Sequence, residues 1–253
     1  MLAAAQIEFR DRAASADDFF GCDGGHPGTP QQPAIWLFGI EPGWSKQDEL
    51  DDHLGKASLP ARRGQVLGFP IEQQLKWPYG RNAIKLLTAI AGQPARDYRK
   101  FAQAHRPFEA NARGYFKGNI YPVPCNRVKE WSVEAQQETG FTSKADYIDF
   151  VHNRRVPAMR AWIRKHRPSL LIGSGSSGAY LEAFKALAEV TAVRHESFLI
   201  NGRTKNIAWA TGPTTNLLVI PHLSGSRNGL NSFASIDWVG KIVNSKRLVR
   251  AQK

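Results

Sequence analysis

The sequence predicts an α/β fold: a central, mainly parallel β-sheet of about four strands with helices on both faces, plus a small β-hairpin. Three observations lead there. Apolar runs at 34–38, 169–172 and 216–220 are continuous rather than alternating, as in strands covered on both faces. Segments with helical spacing of apolar residues separate them. Two β-prone runs, 197–200 and 206–210, flank Asn201-Gly202-Arg203, a hairpin signal of the Asn-Gly type.

Taken in order, the first strand, Ala34 to Phe38, ends at Gly39, and the polar stretch 45–63 after it reads as an exposed loop with one helical turn at most. Residues 81–90 carry apolar side chains at helical spacing and stop at Gly92-Gln93-Pro94, which predicts an amphipathic helix. A second strand spans 116–123, with Pro122 and Pro124 confining its far end to an edge or loop. Tyr147, Phe150, Val151, Val156, Met159, Trp162 and Ile163 place a helix over 144–166 with a kink or break at Pro157. After the strand at 169–172 come a Gly/Ser turn and a helix over 179–189; after the strand at 216–220, a closing helix over 235–248 with a basic tail. There is no internal repeat, and the length suits one domain, 1–253.

The balance of 34 basic and 22 acidic residues leaves a net charge of +12. Such a surface suits nucleic acid or another polyanion, although a solvated basic face gives the same sum. Two cysteines, Cys22 and Cys125, are too few for a four-thiolate cluster and form no disulfide framework, which points to a reducing compartment. No apolar run reaches the roughly 18 residues of a membrane span, and Glu8 and Arg10 interrupt any secretory segment. A cytoplasmic protein with no membrane partner is expected.

Three of the four sheet strands run into polar or glycine-rich segments: Gly39-Ile40-Glu41-Pro42-Gly43, Gly173-Ser174-Gly175 and Pro221-His222-Leu223-Ser224-Gly225-Ser226. In a parallel sheet these ends converge on one edge, where ligands of open α/β sheets sit. Glu41, set at the lip by a Pro-Gly turn, is either a solvated turn carboxylate or a group that holds and polarises a water. His222 is either a structural histidine or a donor to an oxygen that gains charge during a reaction. The loop of Ser224, Gly225, Ser226, Arg227 and Asn228 has small residues and a cation, as a phosphate contact requires and as many surface loops also have. Residues 173–178 also read G-x-G-x-x-G between a strand and a helix, but Glu196, the acidic residue 18 positions on, precedes a strand instead of ending one, so a dinucleotide site is the weaker reading.

Together these segments resemble the uracil-DNA glycosylase superfamily. Gly39-Ile40-Glu41-Pro42-Gly43 is similar to its water-activating G-x-x-P-G motif, with Glu41 where several branches carry Asp or Asn. Gly173-Ser174 is similar to its phosphate-contacting Gly-Ser loop, and His222-Leu223-Ser224 to its His-Pro-Ser loop, Leu223 replacing the proline. Phe116-Lys117-Gly118-Asn119 resembles the strand whose asparagine reads uracil, and Gln65 to Phe69 the region that supplies the aromatic stacking partner. The cysteines of the iron–sulfur branches are absent. The resemblance implies a monofunctional glycosylase with Glu41 and His222 catalytic. Gly39, Ile40, Phe69 and Asn119 would bind the base, and Gly173, Ser174 and residues 224–228 the DNA. No metal or organic cofactor is implied. The expected partner is uracil-containing DNA, single- or double-stranded, and the expected state a monomer. A binder of uracil or abasic DNA that does not cut, and a nucleotide- or NAD-binding enzyme, are the alternatives.

Overall fold

The computed structural model describes residues 2–42, 68–124, 131–176, 178–200 and 202–250. The loop expected at 45–63, Gly43, residues 65–67, Cys125, Ser177 and Asn201 lie outside the described residues.

The architecture is mixed α/β. Among the described residues the sheet has seven strands: β1 (Cys22–Gly25), β2 (Ile35–Gly39), β3 (Tyr115–Asn119), β4 (Leu170–Ser174), β5 (Arg194–Ile200), β6 (Arg203–Ala210) and β7 (Leu217–Ile220), in the order β1-β3-β2-β4-β7-β6-β5. This corrects the expectation of about four mainly parallel strands. The pairs β3/β2, β2/β4 and β4/β7 are parallel, but β1/β3, β7/β6 and β6/β5 are antiparallel. The hairpin is no separate appendage. Strand β6 joins β7 through Ala208, Trp209 and Ala210, so the hairpin extends the sheet at one side. At the other side β1 adds a glycine-rich edge strand, Cys-Asp-Gly-Gly, which has no apolar alternation by which to announce itself.

Helices cover both faces. Alternate residues of each central strand enter opposite cores: Trp36, Phe38 and Leu171 join one, Leu37, Leu170 and Ile172 the other. The first core is closed by α1 (Ala4–Ala13), α5 (Val133–Thr139), α6 (Lys144–Phe150), α7 (Val156–His166) and α8 (Gly178–Ala188). The second is closed by α2 (Ile71–Gln74), α3 (Pro78–Ile90), α4 (Tyr98–His105) and α9 (Phe233–Ser245). Pro78 opens α3 in its first turn, where its missing N–H costs nothing, so this helix starts three residues before the expected position.

The kink or break expected at Pro157 takes a specific form. A π-helical turn, Val151–Arg155, joins α6 to α7 and accommodates the proline in the first turn of α7. That turn buries Arg155 completely. Its guanidinium donates to the carbonyl oxygens of Ile120 at 2.7 Å, Phe20 at 2.7 Å and Asn119 at 3.2 Å. One side chain therefore pins the end of β3 to the segment preceding β1. Lysine cannot span these acceptors from one nitrogen, so Arg155→Lys is expected to cost roughly 2–3 kcal/mol through unsatisfied carbonyls. Urea unfolding measures this; an unchanged midpoint would remove Arg155 from the support of β3.

Candidate functional site

Strand β2 lies between β3 and β4, and the chain leaves it toward one neighbour and later returns to the other. In open α/β sheets such a reversal of strand order marks a crevice beyond the carboxyl ends of the parallel strands. Gly39, Asn119, Ser174 and Ile220 end β2, β3, β4 and β7, so the segments singled out in the sequence meet at one edge.

The lip is built first by backbone. Beyond the ladder, Ile120 N–H donates to Gly39 O at 3.1 Å and Tyr121 N–H to Ile40 O at 2.8 Å, which carries Glu41 to the rim in fixed register with β3. A Cβ on Gly39 would lie 2.5 Å from Asn119 Oδ1 and 3.5 Å from the Tyr79 hydroxyl, so the glycine lets both side chains approach the strand end. Gly175, at φ +136°, would place a Cβ 2.4 Å from Ile40 Cδ1, and its absence lets Ile40 close the gap between the ends of β2 and β4.

Glu41 is not a solvated turn carboxylate. Its side chain is 9% exposed and its Oε2 accepts from Lys144 Nζ at 3.2 Å, the lysine being 12% exposed. Tyr121 and Tyr180 stand close by, for the charge of Glu41 raises the pKa of each phenol. Burial is the larger cause in both, and Tyr121, which also feels Tyr180, is pushed up to about 12. The Tyr121 hydroxyl is 2.9 Å from His152 Nε2. Glu41 is thus held in a defined orientation at a site only partly open to water.

His222, two residues beyond the end of β7, is exposed, with its ring centroid 5.3 Å from that of Tyr79. Surrounding protein nonetheless desolvates the imidazole enough to lower its pKa below 6.5. Ser224 N–H donates to Nδ1 at 3.2 Å, so the neutral ring carries its proton on Nε2 and presents a donor there.

Leu223 is fully buried; its carbonyl accepts from Asn82 Nδ2 at 2.9 Å and its N–H donates to Ser174 Oγ at 3.3 Å. These bonds root the loop while Gly225, Ser226, Arg227 and Asn228 stay exposed and Ser224 half-buried. Lys205 of β6 fastens it further, with Nζ 3.0 Å from Arg227 O and 2.9 Å from Gly229 O, and Arg203 donates to Asn228 Oδ1 at 3.0 Å.

Two expected assignments sit differently in the fold. Gly173 and Ser174 are buried: a Cβ on Gly173 would lie 2.5 Å from the Phe184 ring, and Ser174 ties β4 to Leu223. Of the described residues of that turn, Ser176 and Gly178 are exposed. Phe69 is half-buried and packs edge-on against Trp77 at 4.9 Å; among the described residues, the aromatic residue flanking Gly39 and His222 is Tyr79. As for a dinucleotide, Glu196 lies on the antiparallel edge strand β5, ion-paired with Lys246 at 3.5 Å, far in topology from the ribose position that such a site requires.

Sequence reasoning missed Tyr79, Lys144, Arg155 and Lys205. Signals existed for two. Pro78 marks a helix start, which places Tyr79 at the sheet edge, and Lys205 shares the strand parity of Ile207 and so faces the core. Among the described residues no helix is long and apolar enough to cross a membrane. No protein-family model matches the chain, and comparison with curated proteins finds no match.

Proposed function

We propose that this protein is a monofunctional DNA glycosylase that flips deoxyuridine out of DNA and hydrolyses its N-glycosidic bond. The observation that carries this reading is the convergence at one sheet edge of a paired carboxylate, an asparagine whose Nδ2 has no hydrogen-bond partner among the described residues, and a histidine with a fixed tautomer. Extrusion costs a few kcal/mol and is easiest from a mismatch or a single strand. Asn119 reads the Watson–Crick edge of the extruded base, where its amide pairs with O4 and N3–H of uracil. As the glycosidic bond lengthens the sugar gains oxocarbenium character and the base becomes anionic at O2. His222 Nε2–H stabilises that oxygen, and Glu41 orients or deprotonates the attacking water. The loop around Arg227, anchored by Lys205 and Arg203, meets the phosphates.

An oligonucleotide with one uracil tests the reading, because excision leaves an abasic site that hot alkali cleaves; cleavage at that position alone supports it, and an intact strand contradicts it. Arg227→Ala is expected to weaken binding to every DNA sequence and to reduce the slope of log affinity against log salt by about one, without changing which base is removed. Fluorescence anisotropy across a salt series checks this, and an altered base preference would place Arg227 inside the pocket.

The buried Glu41–Lys144 pair favours a second reading, a binder of uracil or abasic DNA, since a lysine bound to the carboxylate competes with water for it. Tight binding of uracil-containing or abasic DNA with no release of free uracil is its signature.

A further inference from the structure

Unpaired polar atoms shut away from water are costly and rare, so each one calls for a physical explanation. Two belong to side chains that flank the end of β2. The Tyr79 hydroxyl and Asn119 Nδ2 are both buried, and among the described residues neither makes a well-formed hydrogen bond. Asn119 as a residue is 6% exposed, whereas the Tyr79 ring is half-buried and only its hydroxyl end is sealed. Both side chains flank one backbone point, since a Cβ on Gly39 would contact Asn119 Oδ1 and reach van der Waals distance of Tyr79 Oη. Burial raises the pKa of the phenol, the Ser174 hydroxyl lowers it by reaching the phenol oxygen as a donor, which leaves the phenol's own proton unspent, and the charge of Asp23 raises it further. Tyr79 therefore keeps its proton at neutral pH and remains a donor.

We propose that Tyr79 is a specificity-determining residue whose hydroxyl, together with Asn119 Nδ2, donates to carbonyl oxygens on the edge of the bound base. The identity of that base as a pyrimidine rests on the glycosylase reading. Two donors from side chains flanking the same strand end fit a dicarbonyl pyrimidine; an exocyclic amine on the same edge would face a donor and leave it unpaired. A site built around such donors rejects a ligand that cannot satisfy them far more strongly than an apolar pocket does.

Tyr79→Phe removes one oxygen and keeps the ring. A hydroxyl that holds the fold together would lower the unfolding temperature when deleted, whereas deletion of an unsatisfied buried group leaves it unchanged or raises it. The experiment compares wild type and Tyr79→Phe in thermal unfolding with and without free uracil or free cytosine, and in single-turnover excision. The expected result has three parts: an unfolding temperature no lower than wild type, protection of wild type by uracil but not cytosine that disappears in the variant, and excision slowed at least about tenfold. Excision of uracil by both proteins at the same rate, or equal protection by uracil and cytosine in wild type, overturns the role of Tyr79 and leaves the glycosylase reading standing. Uracil-specific protection that depends on Tyr79 without excision by wild type overturns the glycosylase reading and leaves the role of Tyr79 standing. A lower unfolding temperature in the variant assigns the hydroxyl to the fold and also overturns the proposal.

Discussion

Glu41→Gln is expected to lower single-turnover excision of uracil by roughly 10²–10⁴, the range lost with a positioned general base. DNA affinity should hold or rise, because removing a negative charge cannot weaken attraction to a polyanion. The split between rate and binding is the informative part. Glutamine preserves the shape of the side chain and can still accept a hydrogen bond from Lys144, but it takes no proton and attracts the ammonium less. With both partners near one-tenth exposed, the lost ion pair should also show as reduced stability. Unfolding of the variant is therefore measured beside its rate, so that a folding defect is told apart from a chemical one. Excision near the wild-type rate would remove Glu41 from the chemistry.

His222→Ala is the second large effect, with an expected loss of roughly 10²–10³ in single-turnover rate for one missing transition-state donor. The pH dependence separates this role from a structural one. The folded pKa of His222 lies below 6.5, so as pH falls the unfolded chain takes up the proton before the folded chain does. The contribution of the histidine to stability is therefore present above pH 6.5 and is lost as pH drops through the folded pKa. Protonation also puts a hydrogen on Nδ1, where Ser224 N–H now donates, and so loosens the loop. Wild type should excise well at pH 7 to 8 with a neutral imidazole, and His222→Ala should unfold with a flatter pH dependence between about 5 and 7. A variant that loses stability but excises normally would assign His222 to the fold.

What was legible in the sequence depended on the physical strength of each signal. The runs ending at Phe38, Ile172 and Ile220 stood out because strands covered on both faces must be apolar throughout, and their polar continuations located the crevice. Edge strands carry no such requirement. Cys22–Gly25 contributes backbone pairing to β3 with little side-chain pattern, and β5 alternates too weakly to reveal that the hairpin continues the sheet. The missed side chains act across long sequence separations. Lys144 meets Glu41, Arg155 meets Phe20 and Lys205 meets Arg227 only because the topology folds them together. Tyr79 was eclipsed by Phe69, ten residues earlier, for want of the extra turn that Pro78 adds to α3.

The central claim is that the crevice breaks a glycosidic bond, and counting free uracil released per protein chain tests it most directly. Wild-type protein incubated with excess single-stranded and mismatched deoxyuridine DNA should release more than one uracil per chain, while the Glu41→Gln protein should bind the same DNA and release uracil at a rate lower by the factor given above. Tight binding of both proteins to that DNA with no release of uracil would contradict catalysis and leave a protein that recognises the lesion without cutting it.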